Sequence, residues 1–295
     1  MGARIHFKPQ LKEWILHNID RGIPPSPLVQ NMVEQGFDAQ IADQLVRTIW
    51  SARAMGTPIP DEAIDPEQIE AAQYRYAASG QCRANTIVID ERSIRLVAAL
   101  AQPVALVFDN VLSADECAQL IALASQRLAP STLVDPGTGM DVANANRSSE
   151  GMFFQPQENP LVARIERRVA QLMNLPLENG EGLQILRYRS GAQITPHFDF
   201  LMPTNAANRA SLERSGQRVS TMLLYLNDVV QGGETLFPEI GFQVAPRQGS
   251  ALYFEYCNSA GQLDARSLHA SAPVGTGEKW VATKWMRQRR FVPAA

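Results

Sequence analysis

The chain has 295 residues, which is long enough to bury a full hydrophobic core, and its 45% apolar content is ordinary for a globular protein. A formal net charge of −3 leaves no basic surplus, which argues against nucleic acid and anionic membranes as partners. Three cysteines are too few for a disulfide framework, and no apolar run is long enough to cross a membrane, so we expect a cytoplasmic protein.

The first 60 residues predict a small helical bundle. Apolar residues recur at helical spacing from residue 9 to about residue 55, and the prolines between residues 24 and 27 interrupt them. Three short helices account for this pattern, with a turn at Gly36 and Phe37 between the second and the third. This turn resembles that of ubiquitin-associated modules, but it is also common in helical hairpins. A protein partner, dimer formation and a simple stabilising cap therefore all stay open for this region.

Proline and glycine mark a boundary near residue 60. Residues 56–65 include Pro58 and Pro60 and predict a linker. We therefore divide the chain into a helical module at residues 1–60 and a second domain at residues 61–295.

The second domain opens with mixed helices and strands. Ser113 and Glu116 have the spacing of a capping box, so a helix begins there, and Cys117 falls on its apolar side. Cys117 is therefore expected in the core. The other predicted elements before residue 180 are a helix at 66–78, strands at 86–89 and 103–108, a mobile loop at 133–145 and an amphipathic helix at 160–173.

Short strands separated by glycine and proline dominate from about residue 180 to residue 290. This texture predicts an antiparallel sandwich or barrel, and hence an α+β fold overall. Residues 203–217 are rich in Asn, Ala and Ser and predict a long loop between two strands. The predicted strands cover residues 183–188, 194–200, 219–226, 242–245, 251–256, 266–272 and 280–286.

One of these strands carries a metal-binding pattern. His197 and Asp199 are two positions apart, so on a strand their side chains face the same side. A ferrous ion held by two histidines and one carboxylate needs a distant second histidine, and His269 lies in another predicted strand. By itself, a His-x-Asp pair is at least as typical of a hydrogen-bonded pair without a metal. Both interpretations stay open on this pattern alone.

Lys279 follows His269 by ten residues. A turn at residues 275–277 would fold the two into adjacent antiparallel strands, with the ammonium group inside the cavity that holds the metal. A buried lysine is costly unless it meets an anion. A dicarboxylate that binds the metal with one end would supply that anion with the other. A solvated lysine at a turn is the alternative.

Several ordered motifs point to one enzyme family. They are Leu-Glu-Asn-Gly-Glu-Gly-Leu-Gln-Ile at residues 177–185, Pro-His-Phe-Asp-Phe at 196–200, Gln-Arg-Val-Ser-Thr-Met-Leu-Leu-Tyr-Leu at 217–226, Gly-Gly-Glu-Thr-Leu-Phe-Pro at 232–238, and the block at 269–285 with its ten-residue step from His to Lys. With these motifs, residues 147–285 resemble the prolyl 4-hydroxylase family of Fe(II)/2-oxoglutarate dioxygenases, which includes collagen and algal enzymes.

The resemblance implies a double-stranded β-helix, a jelly-roll barrel at about residues 180–290 with helices packed outside it. It also implies hydroxylation of a prolyl residue in a protein or peptide, with dioxygen and 2-oxoglutarate as co-substrates, succinate as co-product and ascorbate as reductant. Fe(II) would be held by His197, Asp199 and His269. The positions implied for 2-oxoglutarate are Lys279, Tyr188, Thr221 and Trp285, and those implied for the peptide substrate are Arg147, Ser149, Arg218, Ile194 and Arg287.

Two of these positions depart from the family pattern. Ile194 stands where collagen and algal enzymes carry a tyrosine, and Arg287 stands where they carry a histidine. Losing a hydroxyl and replacing imidazole by guanidinium change which substrate side chain is accepted. A non-prolyl side chain or a small molecule, with the same cofactors, is therefore an alternative substrate. A catalytically silent binding protein that works through the N-terminal bundle is a second alternative, although the complete set of iron ligands argues against it.

Overall fold

The computed structural model describes residues 4–76, 84–134, 141–143 and 148–294 as helices packed on antiparallel sheets. The helices are α1 (Pro9–Asp20), α2 (Pro25–Glu34), α3 (Ala39–Met55), α4 (Pro66–Ala72), α5 (Ala114–Ser125), α6 (Pro160–Met173) and α7 (Ala206–Ser215). In these described ranges, no helix combines the length and the apolar character needed to cross a bilayer.

The strands are short, and most follow residue 84. They are β1 (Ile5–His6), β2 (Ala63–Ile64), β3 (Thr86–Ile89), β4 (Arg92–Ala101), β5 (Val104–Asp109), β6 (Ala129–Pro130), β7 (Thr132–Val134), β8 (Asp141–Ala143), β9 (Glu150–Phe153), β10 (Gln184–Arg189), β11 (Ile194–His197), β12 (Arg218–Tyr225), β13 (Gln231–Gly232), β14 (Thr235–Phe237), β15 (Phe242–Val244), β16 (Ala251–Glu255), β17 (His269–Ser271), β18 (Val274–Thr276) and β19 (Glu278–Arg287).

Two antiparallel sheets dominate the C-terminal half. In the described residues, the larger sheet has the strand order β3-β4-β5-β16-β12-β19-β10-β9-β6, and the smaller sheet has the order β11-β17-β14-β15. The chain crosses from one sheet to the other between β10 and β11, and again between β11 and β12. This is the α+β class that the sequence predicts, and its large antiparallel sheets are consistent with a jelly roll.

Helices α5 and α6 pack as their sequence patterns predict. The Ser113 hydroxyl accepts from the Glu116 backbone N–H at 3.0 Å, and the Glu116 carboxylate accepts from the Ser113 backbone N–H at 3.0 Å, which completes the capping box. Cys117 is fully buried in the core, as expected. Helix α6 buries its apolar side in the same hydrophobic cluster, through Leu161, Ile165, Val169 and Leu172.

The three N-terminal helices share a hydrophobic core with the strands that follow. Ile49 and Trp50 of α3 are buried in one cluster with Phe200 and Tyr256. The Trp50 ring centroid lies 5.7 Å from that of Phe198 and 6.0 Å from that of Phe200. Apolar surface of the helices is therefore covered by residues of the second predicted domain. A separate bundle at residues 1–60 stays a prediction.

Three local predictions are wrong. Residues 203–217 are not all loop, because they contain α7, whose first turn is capped by the Asn205 side chain accepting from the Asn208 backbone N–H at 2.8 Å. The predicted strand at 266–272 begins only at His269, since residues 265–267 form a single 3₁₀ turn. Strand β4 went unpredicted, because the mostly exposed side chains along it lack a regular alternation of apolar and polar residues.

Two further stretches differ in part from the sequence expectation. The predicted mobile loop at 133–145 contains the paired strands β7 and β8, and its other residues lie outside the described part of the chain. The predicted helix at 66–78 ends at Ala72.

Candidate metal centre and cavity

His197 and His269 stand opposite each other on neighbouring strands. His197 ends β11, His269 begins β17, and the antiparallel register pairs the two residues directly. Their ring centroids are 4.4 Å apart. The predicted strand at 194–200 ends at His197, so Asp199 lies two residues beyond β11, and its carboxylate still comes close to both rings. The structure thus brings together the three residues that the sequence analysis selects.

The ligand atoms of these residues converge on a small volume. Asp199 Oδ1 is 3.9 Å from His197 Nε2, and Asp199 Oδ2 is 3.6 Å from His269 Nε2. One ligand atom from each residue lies within 4.8 Å of the others. The Nδ1 atoms of His197 and His269 lie 3.0 Å from the carbonyl oxygens of Thr195 and Ser267. An Nδ1–H that donates to a carbonyl leaves the Nε2 lone pair available for a metal.

The Asp199 carboxylate is buried yet ionised. Burial raises the pKa of this carboxyl group, but the neighbouring His269, His197 and Arg218 side chains lower it by more. The Thr221 hydroxyl donates to Asp199 Oδ2 at 2.6 Å and lowers the pKa further. A carboxylate held ionised between two imidazoles is the donor set that suits a ferrous ion with open coordination positions.

Lys279 reaches the cavity from the larger sheet and does not lie on a strand beside His269. It pairs with Tyr188 across β10 and β19, whereas His269 belongs to the smaller sheet. The predicted hairpin with a turn at residues 275–277 is therefore wrong, because this stretch contributes to β18, which pairs with β13. The Lys279 ammonium donates to Ser271 Oγ at 2.9 Å.

Lys279 is a buried cation without a carboxylate partner among the described residues. Lys279 is 2% exposed, and among the described residues its ammonium donates to the Ser271 hydroxyl, while the Glu234 carboxylate acts on it through its charge without a hydrogen bond. Burial lowers the pKa of Lys279 to about 7, although Glu234 opposes this shift. The rings of Tyr188 and Tyr225 lie 5.3 Å and 5.8 Å from Nζ. Because an unpaired buried ammonium is costly, this end of the cavity favours an anion.

A cavity of about 430 Å³ is lined by the His-Asp-His cluster and by Lys279. One wall consists of alternate residues on two paired strands, since side chains alternate between the faces of a sheet. These residues are Gln184, Leu186 and Tyr188 on β10 and Lys279, Val281, Thr283 and Trp285 on β19. Gln184, Leu186, Val281 and Thr283 were not predicted as site residues, although steps of two along the strands from Tyr188 and Lys279 lead to each one.

Two polar atoms in this wall lack partners in the described part of the chain. Gln184 Oε1 and Trp285 Nε1 are fully buried, and neither has a hydrogen-bond partner. Buried polar groups are ordinarily paired. A polar ligand in the cavity would supply these partners, and its anionic group would also supply the carboxylate that Lys279 lacks among the described residues.

Of the other predicted site residues, Tyr188, Trp285, Ile194 and Arg218 line the cavity. Arg147 lies outside the described residues. Three more are described but are absent from the cavity lining in that part of the chain: Thr221, Ser149 and Arg287.

These three residues have hydrogen-bond partners within the protein. The Thr221 hydroxyl bonds to the Asp199 carboxylate, and the Ser149 hydroxyl donates to Ser131 Oγ at 3.0 Å. Arg287 donates to the Glu181 carboxylate at 3.0 Å and is 1% exposed. Each of them thus contacts a neighbouring residue of the protein, and the ligand contacts that the family resemblance implies for them stay predictions.

Residues 183–287 match the family model described as "2OG-Fe(II) oxygenase superfamily". This stretch contains His197, Asp199, His269 and Lys279. The donor set fits Fe(II), and the unpaired buried ammonium fits the second carboxylate of 2-oxoglutarate. The fold and the site therefore define an oxygenase that uses Fe(II) and 2-oxoglutarate.

Two curated relatives, at 42% and 34% identity, narrow this class to one family. Prolyl 4-hydroxylase 1 of Arabidopsis thaliana is 42% identical over 202 residues, which cover 63% of this chain and 70% of that protein. Probable prolyl 4-hydroxylase 3 of the same plant is 34% identical over 249 residues, which cover 78% and 83%. The solved viral collagen prolyl hydroxylase of Paramecium bursaria Chlorella virus-1 aligns with 62% of this chain and 95% of its own, at 27% identity and a TM-score of 0.49. This chain belongs to the prolyl 4-hydroxylase family of 2-oxoglutarate-dependent dioxygenases.

Proposed function

We propose that this enzyme hydroxylates a prolyl residue in a protein or peptide and converts 2-oxoglutarate to succinate and carbon dioxide. One observation carries the proposal: a His-Asp-His cluster lines the same cavity as a buried ammonium that, among the described residues, has a hydroxyl partner and no carboxylate partner. The two curated relatives described above, at 42% and 34% identity, are named prolyl 4-hydroxylases, which supports proline as the substrate residue.

His197, Asp199 and His269 would hold Fe(II) on one face and leave other coordination positions for ligands. Bound Fe(II) supplies the activation of dioxygen, which couples decarboxylation of 2-oxoglutarate to hydroxylation of the substrate. The protein itself needs no nucleophile for this reaction. Its part is to orient the ligands, with the Thr221 hydroxyl donating to the Asp199 carboxylate, and to exclude water from the cavity.

Lys279 would pair with the far carboxylate of 2-oxoglutarate. Burial lowers the pKa of Lys279, and an ion pair with this carboxylate would compensate the cost of burying its ammonium group. The Ser271 hydroxyl accepts a hydrogen bond from the ammonium and so orients it. The aromatic ring of Tyr188 lies beside the same group and would line the cosubstrate end of the cavity. Lys279 lies on the larger sheet and His269 on the smaller one, an arrangement that a double-stranded β-helix would account for.

The substrate would enter at the end of the cavity lined by Phe153, Trp285 and Arg218. The Phe153 and Trp285 ring centroids are 6.3 Å apart, and Phe153 is 48% exposed, so this end faces solvent. Arg218 lies over the Trp285 ring at 4.0 Å. An aromatic pair beside a cation suits a prolyl ring and the carbonyl groups that flank it.

Ile194 keeps a second substrate class open. It lines the cavity, is 7% exposed and offers no hydroxyl. An apolar wall at this position discriminates weakly between side chains of similar size. A non-prolyl side chain or a small molecule is therefore the competing substrate, with the same cofactors.

A substrate screen would test the proposal. Proline-containing peptides, matched alanine peptides and free amino acids would be incubated with Fe(II), 2-oxoglutarate and dioxygen, with succinate and the mass gain of one oxygen atom as readouts. We expect both signals with prolyl peptides alone, and neither signal in the His197→Ala and Asp199→Ala variants. Turnover confined to non-prolyl compounds would contradict proline as the substrate.

Three expectations accompany the main proposal. Ascorbate would support turnover by reducing iron, and omitting it from the assay would test this role. A cytoplasmic location would be tested by fractionating the host cell. A partner or a dimer contact through the N-terminal helices would be tested by measuring the mass of the protein in solution.

A further inference from the structure

Arg287, Arg218 and Glu181 form a buried group that we call the arginine cluster. Arg287 ends β19 and pairs in register with Arg218 of β12. Glu181 lies beside both, because its backbone N–H donates to the Trp285 carbonyl at 3.0 Å. Glu181 is 7% exposed and Arg287 is 1% exposed. The Arg218 side chain is 18% exposed, so the cluster is buried at Glu181 and Arg287 and reaches the cavity at Arg218.

One carboxylate orients both guanidinium groups. Glu181 accepts from Arg218 Nε at 2.7 Å and from a second Arg218 nitrogen at 2.8 Å, and it accepts from Arg287 at 3.0 Å. Burial raises the pKa of Glu181, but the charges and hydrogen bonds of the two arginines outweigh burial and hold this pKa below its usual value. Glu181 is thus an ionised carboxylate, and its position depends on both arginines.

Arg218 connects the cluster to the cavity. It donates to the backbone carbonyl of Asp199 at 3.1 Å, and its guanidinium lies over the Trp285 ring at 4.0 Å. Arg218 and Trp285 both line the cavity. A shift of Glu181 would therefore move the side chains that face the substrate.

Arg287 also connects the cluster to α7. It donates to the Ser211 carbonyl at 2.7 Å and to the Ser211 hydroxyl at 3.1 Å. In the described chain, Ser215 is the one residue of α7 that is buried, so polar contacts hold this helix in place. Helix α7 lies between Asp199 and Arg218 in the sequence. Through its bonds to Ser211, Arg287 holds this helix against the end of β19.

We infer that Arg287 is a positioning residue: through Glu181 it fixes Arg218 against Asp199 and Trp285, and through Ser211 it fixes α7 to the same cluster. Arg287 is buried, its terminal nitrogens bond to the protein, and it is absent from the described cavity lining. It therefore acts through other residues and does not contact the substrate. This inference deepens the proposed function, because the substrate end of the cavity is the part that Arg287 would organise.

The test compares Arg287→Met with the wild-type enzyme at a temperature where both are folded. We expect the KM for the prolyl peptide to rise roughly tenfold or more, because small misplacements at an active site have effects of this size. The ratio of hydroxylated peptide to succinate should fall below that of the wild-type enzyme. The KM for 2-oxoglutarate should stay within about twofold of the wild-type value, because Lys279 is not part of the cluster. Should Arg287→Met not fold, Arg287→Lys carries the test, because a lysine cannot reproduce the forked contacts of an arginine.

Arg289→Met is the matched control. Arg289 also donates to carbonyl oxygens at the end of α7, those of Leu212 at 3.0 Å and Glu213 at 2.8 Å, but no described contact joins it to Glu181. We expect this variant to lose some stability and to keep the wild-type KM for the peptide. Equal kinetic parameters for the Arg287→Met and Arg289→Met enzymes would overturn the inference.

A second readout separates this inference from the proposed function. The emission of Trp285 is obtained by subtracting the spectrum of each protein's Trp285→Phe counterpart. Loss of the Arg218 contact should change this emission in the Arg287→Met protein but not in the Arg289→Met protein, with no substrate present. Unchanged Trp285 emission in the Arg287→Met protein would refute positioning. Failure of the wild-type enzyme to hydroxylate any prolyl peptide would refute the proposed function alone.

Discussion

The indole ring of Trp50 packs on Phe198, with 5.7 Å between the ring centroids, and Phe198 lies between the two candidate iron ligands His197 and Asp199. Phe198 stacks in turn on Phe200 at 4.5 Å. Through Trp50, helix α3 therefore packs against the segment that carries the candidate iron ligands His197 and Asp199. This contact gives the helices a role inside the enzyme, besides any role in binding partners.

Replacing Trp50 should weaken both folding and iron binding. Trp50 is 4% exposed, and truncation of a buried aromatic residue to alanine costs about 3–5 kcal/mol of unfolding free energy. Because Phe198 would lose its support, we expect Trp50→Ala also to weaken Fe(II) binding by several-fold under conditions where the protein is folded. Anaerobic Fe(II) titration and denaturant unfolding would measure the two effects.

Trp14→Ala is the control for this prediction. Trp14 lies on α1 and packs, half-buried, against the same hydrophobic cluster, but no described ring contact joins it to Phe198. It should lower stability and leave Fe(II) affinity unchanged. Equal Fe(II) affinity of the folded Trp50→Ala and Trp14→Ala proteins would argue against a supporting role for Trp50.

The binding of 2-oxoglutarate should weaken as the pH rises above neutrality. Lys279 has a pKa of about 7 in the protein without ligand, and only its ammonium form pairs with a carboxylate. Binding therefore takes up a proton above about pH 7, and the affinity should fall by up to about tenfold per pH unit until the pKa of the bound state is reached. Calorimetry of the Mn(II)-loaded protein, in buffers with different ionisation enthalpies, would measure the proton uptake.

The Lys279→Arg variant tests the cause of this pH dependence. Arginine stays charged throughout this range, so its 2-oxoglutarate affinity should be nearly independent of pH. A pH dependence that persists unchanged in the Lys279→Arg protein would place the titrating group elsewhere.

The ligand set could be predicted from sequence because it depends on local spacing and on one ten-residue step that matches the family motif. His197 and Asp199 are two residues apart, and the ten-residue step from His269 marks Lys279. The pairing of His197 with His269 and the placement of Lys279 on the opposite sheet depend on strand register between distant segments. Long-range packing sets this register, so spacing alone gave the wrong hairpin. The contact of Arg287 with Glu181 could not be predicted either, because it also joins residues that are distant in the sequence.

Removing the Lys279 charge should stabilise the protein while it abolishes cosubstrate binding. The folded-state pKa of about 7 lies below the unfolded value, so the unfolded chain binds more protons between about pH 7 and pH 10. The wild-type lysine thus lowers stability most below about pH 7 and progressively less as the pH rises toward 10. We expect Lys279→Met to raise the Tm of the ligand-free protein, with the largest gain near or below neutral pH.

The same variant should lose 2-oxoglutarate affinity by about 2 kcal/mol or more, which is roughly 30-fold, because one carboxylate loses its partner. Thermal unfolding across the pH range and calorimetric titration would measure the two effects on one protein. A lower Tm for Lys279→Met near neutral pH would show that its ammonium already has a stabilising partner in the ligand-free protein.

Thr221 should matter for iron more than for 2-oxoglutarate. Its hydroxyl donates to Asp199 Oδ2 at 2.6 Å, and it is absent from the cavity lining that the structure describes. Groups that hydrogen-bond to a metal ligand typically change metal affinity by about 10–100-fold when they are removed. We therefore expect Thr221→Val to weaken Fe(II) binding about tenfold, as measured by anaerobic titration.

Thr283→Val is the matched control, since Thr283 is also buried on a strand but lines the cavity. Its Fe(II) affinity should equal that of the wild type. If Thr221→Val instead raised the KM for 2-oxoglutarate and left iron affinity intact, Thr221 would be a direct cosubstrate contact, as the family resemblance implies.

Ile194 should control the size of the side chain that the enzyme accepts. It lines the cavity and is 7% exposed, and its removal to alanine would leave space for about one additional methylene group or more. Peptides with pipecolic acid in place of proline enlarge the ring by one methylene, a difference that an apolar pocket discriminates by about 10-fold or more. We expect Ile194→Ala to raise the ratio of kcat/KM for the pipecolyl peptide to that for the prolyl peptide by about tenfold, as measured by hydroxylated product in a direct competition.

Leu223→Ala, which enlarges the cavity at another strand, is the control and should change this ratio less. An unchanged ratio together with an altered KM for 2-oxoglutarate would place Ile194 at the cosubstrate end of the cavity.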